Sequence, residues 1–480
     1  MIGFLWHTLF VLCKLPLKAK CMQGSFPDFN EFSFSSKNDW MNQALKDLKG
    51  KAYEDLFWHT EEGFEIQPYY SDSDEVIVLD IPPKSYQGQA NTWMIRQMLF
   101  ENDLPKHALQ SLQHGVQALE FQNVENAFKD GQLDKVHIEM IEINSSSSIS
   151  DPKVWNFLSE EFERRGLKPE EMTGGITLDI GQQQGTTQER MDQLRHWAKC
   201  GMVFPKSRSI SIDAASYAEQ GANAVTELAF ALSKGNASIA ALVQDNLTID
   251  DVSGKFEVRL SSGLSYFKDI AKFRAMRYLW AKLIEAYSPQ HACSQLVWIH
   301  ADTTAVNHNF KDPYVNLIRT TSAAMSASLG GTDSMNVKPF DYLQSENSSS
   351  GLRWARNIQH MLIEESSLDL VVDPTKGSWY VENLTAKLVQ YAWELFCKLE
   401  DEGGFLECQA TGMLEEIIKS NRKALVEMVQ SGNRVILGVN KYPPKSDSKE
   451  LKADWEKLEN EIPGRLILAR EMEAMKEGQQ

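Results

Sequence analysis

Basic charge, paired cysteines and long apolar runs are all scarce in this chain of 480 residues. Its 49 lysines and arginines are outnumbered by 66 acidic residues, for a formal net charge of −17. This balance argues against nucleic acid or a membrane surface as a main partner, because phosphate binding needs a basic patch. The six cysteines form no C-x-x-C pair. Scattered thiols disfavour a disulfide framework or a zinc ribbon and favour a reducing compartment, and we predict a cytoplasmic protein.

The first 21 residues hold the most apolar stretch of the chain. Residues 2–13 are mostly apolar, but the stretch is too short to span a bilayer, and no basic residues precede it as they would in a secretory signal. We interpret residues 1–21 as a spurious extension ahead of a true start at Met22. A membrane or organelle role for this segment is the alternative interpretation.

Strand-like runs alternate with helical patterns through the middle of the chain. The strand-like runs are residues 118–121, 136–143, 175–180, 207–212, 256–260, 296–301, 334–337 and 368–372. Helical patterns occupy residues 152–165, 187–199, 218–243, 266–287, 312–329 and 351–366. Eight strands alternating with helices predict an α/β protein built on a (β/α)8 TIM barrel. A doubly wound open sheet is the alternative.

These patterns divide the chain into four segments. After residues 1–21, residues 22–110 form an N-terminal arm and linker, which we expect to make subunit contacts. Residues 111–375 form the barrel. Residues 376–480 form a helical extension, with helices predicted at 384–400 and 414–430 and a strand-like run at 434–439.

Two strands predict a polar barrel interior. Alternate residues of a strand face opposite sides, so three polar residues of one strand are expected inside: Ser209, Ser211 and Asp213. The same alternation places Glu257 and Arg259 on the side of the next strand that faces the barrel interior. Either a small polar lining surrounds an open axial channel, or the charged residues pair with each other and plug the barrel. Unpaired burial of Glu257 and Arg259 would be costly.

Two further patterns have competing interpretations. His300 and Asp302 at a strand end, with His308 beyond, could be metal ligands, but a strand-end histidine bonded within the barrel is the commoner case. The double glycine at 330–331 indicates a helix end and not a phosphate loop, because no G-K-[ST] follows it. We therefore predict no metal site.

Several ordered motifs resemble the methylmalonyl-coenzyme A mutase family. They are residues 57–63 (FWHTEEG), 95–97 (IRQ), 266–280, 319–332 with the double glycine, 355–366 (ARNIQHMLIEES), 373–382 and 435–440 (VILGVN). The resemblance covers roughly residues 50–445. It implies a TIM barrel that threads the pantetheine arm of coenzyme A along its axis. It also implies a radical rearrangement of the carbon skeleton by adenosylcobalamin, a cofactor that supplies the hard chemistry itself.

The chain lacks the motif by which the resembled family binds cobalamin. That motif is D-x-H-x-x-G, and none of the ten histidines here has an aspartate two residues before it. The residues after Val439 are also too few for the family's α/β cobalamin domain. We therefore expect this chain to have no cobalamin-binding domain and to bind no cofactor by itself.

The substrate pocket implied by the resemblance is degenerate. Met98 stands where active members place a tyrosine after Ile-Arg-Gln, and Ala215 and Ser216 stand where they carry adjacent tyrosine and histidine. Methionine has no hydroxyl, and serine cannot replace imidazole at the same reach. The polar stretch of active members also has no clear equivalent in residues 179–185. We predict no catalytic residue in this chain.

These losses together indicate a non-catalytic small (beta) subunit of a heterodimeric mutase. Its expected partner is a homologous large (alpha) catalytic subunit that holds adenosylcobalamin and interconverts succinyl-CoA and methylmalonyl-CoA in propionate metabolism. The alternative is a barrel that still binds acyl-CoA and performs its own mutase chemistry with a cobalamin domain supplied in trans.

Overall fold

A computed structural model describes residues 35–477, except for 72, 75–76, 85–89, 100–103, 146–150, 245–246, 345–347, 444–454, 456–457 and 459–461. The described residues form two compact units, which divide between Phe57 and Trp58. The extension expected at residues 1–21 lies outside the described part. In the first unit, helix α1 (Lys37–Asp47) begins at Ser36, whose side chain forms a capping box with Asp39.

The second unit is built around a closed barrel of eight parallel strands. A short antiparallel pair precedes it, β1 (Trp58–His59) and β2 (Glu65–Ile66). The barrel strands are β3 (Met94–Leu99), β4 (Ala118–Phe121), β5 (Glu142–Ser145), β6 (Thr173–Leu178), β7 (Ser207–Asp213), β8 (Phe256–Ser262), β9 (Trp298–Thr303) and β10 (Ser334–Asn336). Each strand pairs with the next in sequence order, and β10 closes the barrel against β3. This architecture confirms the predicted (β/α)8 TIM barrel.

Helices cover the outside of the barrel and continue past its last strand. The helices among and around the barrel strands are α2 (Leu104–Gln113), α3 (Val124–Phe128), α4 (Lys153–Arg164), α5 (Thr187–Gly201), α6 (Ala215–Gln220), α7 (Ala224–Val243), α8 (Ile249–Val252), α9 (Tyr266–Glu285), α10 (Val315–Leu329) and α11 (Ser349–His360). Those after the barrel are α12 (Trp379–Asp401), α13 (Phe405–Ala410), α14 (Met413–Gln430) and α15 (Leu468–Glu477). None of the helices in the described ranges is both long and apolar enough to cross a membrane.

Local sequence signals explain where several helices begin and end. Helix α5 begins after Thr186, whose hydroxyl accepts from the backbone N–H of Glu189 in a capping box. Helix α6 ends at Gly221, whose φ of 111° is a backbone conformation that residues with a side chain rarely adopt. The pattern predicted as one helix over residues 218–243 is therefore two helices, because the chain turns at this glycine.

The structure corrects the predicted set of barrel strands. Residues 368–372 are not a strand: Leu370, Val371 and Val372 are exposed, and the flanking Ser367 and Asp373 take left-handed conformations that end extended structure. The missing strand is β3, which the sequence patterns did not predict because its charged Arg96 and amide Gln97 hide the apolar signal. The barrel therefore begins at Met94, and the predicted boundary at residue 111 was wrong.

Other segment predictions were wrong in detail. The run at 136–143 contains a 3-10 turn (Ile138–Met140) before the strand proper begins at Glu142. The helix predicted over 351–366 finishes as a π-helical turn (Met361–Glu365). The strand-like run at 434–439 makes only one isolated bridge, between Leu437 and Lys441.

Candidate functional site

A ring of four buried ionic side chains fills the middle of the barrel. Arg96 on β3 contacts Glu257 at 2.9 Å and Glu120 at 2.8 Å. Arg259 contacts the same two carboxylates, Glu257 at 3.2 Å and Glu120 at 2.6 Å. Burial alone would raise the pKa of Glu257, but the surrounding guanidinium groups outweigh it and hold that pKa well below its usual range. At this level the barrel is plugged by paired charges, as one of the two interpretations of the interior predicted.

Arg208 on β7 adds two further ion pairs to the ring, one with a residue of β5 and one with a residue of β8. It contacts Glu142 at 2.7 Å and Glu257 at 3.3 Å, and its guanidinium lies 4.0 Å from the ring centre of Trp298. Simple alternation along β7 did not place Arg208 inside. The register between β6 and β7 shifts at this point, and Ser209, expected inside, lies against Gly201 of helix α5 instead. The inward side chain of this strand segment is therefore a charge that completes the plug.

A cavity of about 740 Å³ opens above the ring, at the carboxyl ends of the barrel strands. This is the face where TIM barrels carry their functional residues. All three positions singled out by the sequence, Met98, Ala215 and Ser216, line this one cavity. Met98 lies two residues after Arg96 on β3. Ala215 and Ser216 are the first two residues of helix α6, shortly after β7. The barrel thus brings together positions that lie more than a hundred residues apart.

Residues of three distant segments form a charged cluster in the cavity wall. Glu219 on α6 accepts from the backbone N–H of Ala305 at 3.0 Å and contacts Lys338 at 3.3 Å. Arg465 approaches the same carboxylate at 3.5 Å and donates to the hydroxyl of Tyr342 at 2.9 Å. Burial would raise the pKa of Glu219, but Lys338 and Arg465 lower it overall. No spacing in the sequence links these residues, so only the fold could have shown this cluster.

Tyr217 lies next to Ser216 and places a phenol at the cavity. Burial raises the pKa of Tyr217, and its ring packs edge-on against Phe230 at 5.3 Å between centres. The ammonium of Lys234 lies 4.8 Å from the Tyr217 ring centre and contacts Asp179 at 3.0 Å.

His300 and Asp302, the candidate metal ligands on β9, lie next to each other. His300 bonds to the hydroxyl of Ser334 at 2.8 Å and lies 3.5 Å from Asp302. Burial lowers the pKa of His300. His308 is buried apart from them, and burial lowers its pKa to about 3. Among the described residues, no three His, Cys, Asp or Glu side chains converge as a metal site, so this pair is part of the barrel packing.

The side chains that line the cavity do not fit the role of a corrinoid site that depends on a histidine ligand. Within the described part of the chain, no histidine lines the cavity. Its polar lining consists instead of glutamines, one asparagine, one serine, tyrosines and charged residues. Amides and guanidinium groups are poor ligands for a transition metal compared with imidazole.

The fold and the cavity place this chain among TIM barrels with their functional face at the carboxyl ends of the strands. The methylmalonyl-CoA mutase family model matches residues 97–477. The chain belongs to that family.

Individual relatives agree with the family assignment. The methylmalonyl-CoA mutase small subunit of Porphyromonas gingivalis is 29% identical over 86% of this chain and 71% of its own length. The methylmalonyl-CoA mutase of Cereibacter sphaeroides is 28% identical over 84% of this chain and 64% of its own length. The human mitochondrial enzyme is 30% identical over 86% and 62%. The chain therefore spans less than two thirds of these two mutases.

Proposed function

We propose that this chain is the non-catalytic small subunit of a heterodimeric methylmalonyl-CoA mutase, working in the cytoplasm. Its partner would be a homologous large subunit that binds adenosylcobalamin and interconverts succinyl-CoA and methylmalonyl-CoA. The observation that carries the proposal is the cavity itself. Met98, Ala215 and Ser216 line it together, at positions where the family resemblance implies a tyrosine and a tyrosine–histidine pair.

The chemistry of these three side chains supports the proposal. A thioether, a methyl group and a short hydroxyl cannot donate to a thioester carbonyl at the reach of a phenol or an imidazole. The similarity to a small subunit from Porphyromonas gingivalis points in the same direction.

The ionic ring below the cavity is a second support. An acyl-CoA whose pantetheine arm ran along the barrel axis would have to displace the four paired side chains of the ring. All four are buried, and breaking a buried pair by removing one partner typically costs about 3–5 kcal/mol. The proposed role of the chain is therefore to assemble with and support the large subunit.

The test is reconstitution with a longer homologue that carries D-x-H-x-x-G and an intact tyrosine–histidine pair. We expect the two chains to co-purify and the complex to isomerise succinyl-CoA. The single chain should give no turnover with added adenosylcobalamin and should retain no corrinoid absorbance after gel filtration.

Two outcomes would contradict the proposal. Turnover by this chain with only a free cobalamin domain added would favour the alternative function, an acyl-CoA barrel with its own mutase activity. Corrinoid that stays with the single chain after gel filtration would show that it binds the cofactor itself. The large subunit with its cobalt-ligating histidine replaced by alanine is the matched control, because the two chains should still assemble without turnover.

A further inference from the structure

One cation in the cavity wall has no acidic partner in the part of the chain that the structure describes. Within the described ranges, five cationic side chains line the cavity: Arg96, Arg259, Lys338, Arg356 and Arg465. Arg96 and Arg259 belong to the ionic ring. Lys338 and Arg465 contact Glu219. Only Arg356 has no carboxylate within 4.0 Å among the described residues. An unpaired buried charge is costly, so this position calls for an anion.

The surroundings of Arg356 are neutral. Its Nη1 donates to the amide oxygen of Gln97 at 2.7 Å, and its Nε is buried without a hydrogen-bond partner. The side chain as a whole is 7% exposed. Gln97 is itself held by a hydrogen bond to Ser111 at 2.9 Å, which fixes the guanidinium against β3. Burial lowers the pKa of Arg356, which agrees with the lack of a neighbouring negative charge.

The rest of the cavity limits the shape of an occupant. The ionic ring closes the barrel axis from below, so a ligand must fit within the cavity above it. Apolar side chains stand in the same wall as Arg356, namely Met98, Val337, Leu352 and Ala355. An apolar lining with few polar groups is typical of sites for small organic molecules. A compact molecule with one anionic group and an apolar body matches both features.

We propose that the cavity binds a free short-chain carboxylic acid as its carboxylate, with Arg356 as the anchoring cation. A guanidinium forms strong, charge-assisted hydrogen bonds with a carboxylate. A single unpaired cation suits a monoanion better than a phosphate dianion. This inference does not rest on the proposed function, since a subunit that assembles with a partner could hold such a ligand or lack it.

The first test measures ligand binding to the full-length chain by isothermal titration calorimetry. The probes are butyrate, its neutral isostere butyramide, butyryl-CoA and inorganic phosphate. We expect butyrate to bind saturably and butyramide to bind about tenfold or more weakly, because it lacks the charge that pairs with Arg356. Butyryl-CoA and phosphate should not compete with butyrate. Failure of butyrate to bind, or equal binding of butyramide, would overturn the proposal, and competition by either other probe would overturn the assigned ligand class.

Variants test the anchor itself. Arg356→Met keeps an apolar stem and should weaken butyrate binding about tenfold or more, whereas Arg356→Lys should retain part of it. Arg353→Met is the matched control, because it removes the same charge from an exposed position of α11, and it should bind as the unmodified chain does. The ligand-free melting temperature of each variant checks that the chain still folds, since Arg356→Met also removes the hydrogen bond to Gln97. Butyrate binding unchanged by Arg356→Met would refute the assigned anchor.

Discussion

At the scale of single residues, the barrel interior depends on complete pairing of buried charges. Each carboxylate of the ring contacts two guanidinium groups, and each guanidinium contacts two carboxylates. In a medium of low polarity such contacts offset the loss of hydration only while every partner is present. Glu257 is the most connected member, since Arg208 also contacts it. Removal of the Glu257 carboxylate should therefore strongly destabilise the folded protein.

Glu257→Gln tests this dependence. The amide has nearly the same shape but no charge, so three buried guanidinium groups would lose a partner. We expect the free energy of unfolding to fall by about 3–5 kcal/mol, measured by urea denaturation. Glu163→Gln, at an exposed position of α4, is the control and should stay within about 0.5 kcal/mol of the unmodified chain. A loss at Glu257 no larger than that of the control would mean that the ring contributes little to stability.

At the scale of elements, small residues let helices α10 and α9 approach closely. Helix α10 buries Ala323, Ala324 and Ala327 and ends at Gly330. The following Gly331 has a φ of 85°, which confirms the predicted helix end at the double glycine. A Cβ placed on Gly330 would lie 2.7 Å from the Cβ of Phe273 on α9. The double glycine thus serves both the turn and the packing.

Gly330→Ala should therefore destabilise the barrel. Gly330 has an ordinary helical φ of −73°, so the penalty comes from crowding against α9 and not from the backbone conformation. Overpacking of this kind typically costs about 1–3 kcal/mol, which a shift in the urea midpoint would report. The matched control is Gly254→Ala, because nothing lies within 4 Å of a Cβ at that position. Equal stability of the two variants would show that α9 and α10 can separate without cost.

At the scale of the whole molecule, one part of the N-terminal arm belongs to the barrel unit and another part to a separate compact unit. Phe64 and Ile66 belong to the barrel core, and Phe64 packs against Tyr391 at 5.2 Å between ring centres. In contrast, Trp58 and Tyr69 are each 37% exposed. The part of the arm after residue 60 is thus integral to the barrel unit. We predicted subunit contacts for residues 22–110. We now propose them for residues 23–57 and for the exposed rings of Trp58 and Tyr69.

Removal of residues 23–57 tests the proposed subunit contact. We expect the remaining barrel unit to stay folded, because the residues of both hydrophobic core clusters in the described chain all lie beyond residue 57, and to lose affinity for the large subunit. Trp58→Ala in the full chain should weaken binding by about 2 kcal/mol, as tryptophans at interface centres do. Trp393→Ala on α12, equally exposed at 37%, is the control and should bind normally. Unchanged affinity of the truncated chain, measured by surface plasmon resonance, would rule out the arm as the contact.

The sequence by itself determined the barrel, the family and three positions that line the cavity, Met98, Ala215 and Ser216. Alternating strand and helix patterns depend on local periodicity, which a linear chain displays directly. Motif order likewise requires no coordinates. The same local signals failed at β3, where Arg96 interrupts the apolar pattern, and at residues 368–372, where an apolar run lies in exposed turns.

Only the tertiary structure decided what the barrel interior contains. The partners of Glu257 come from β3, β7 and its own strand, and Arg208 lies inside although alternation along β7 does not place it there. The missing partner of Arg356 is equally a property of the folded chain. Whether a buried charge is paired depends on which strands the barrel closure brings side by side, and that information is absent from any local stretch of sequence.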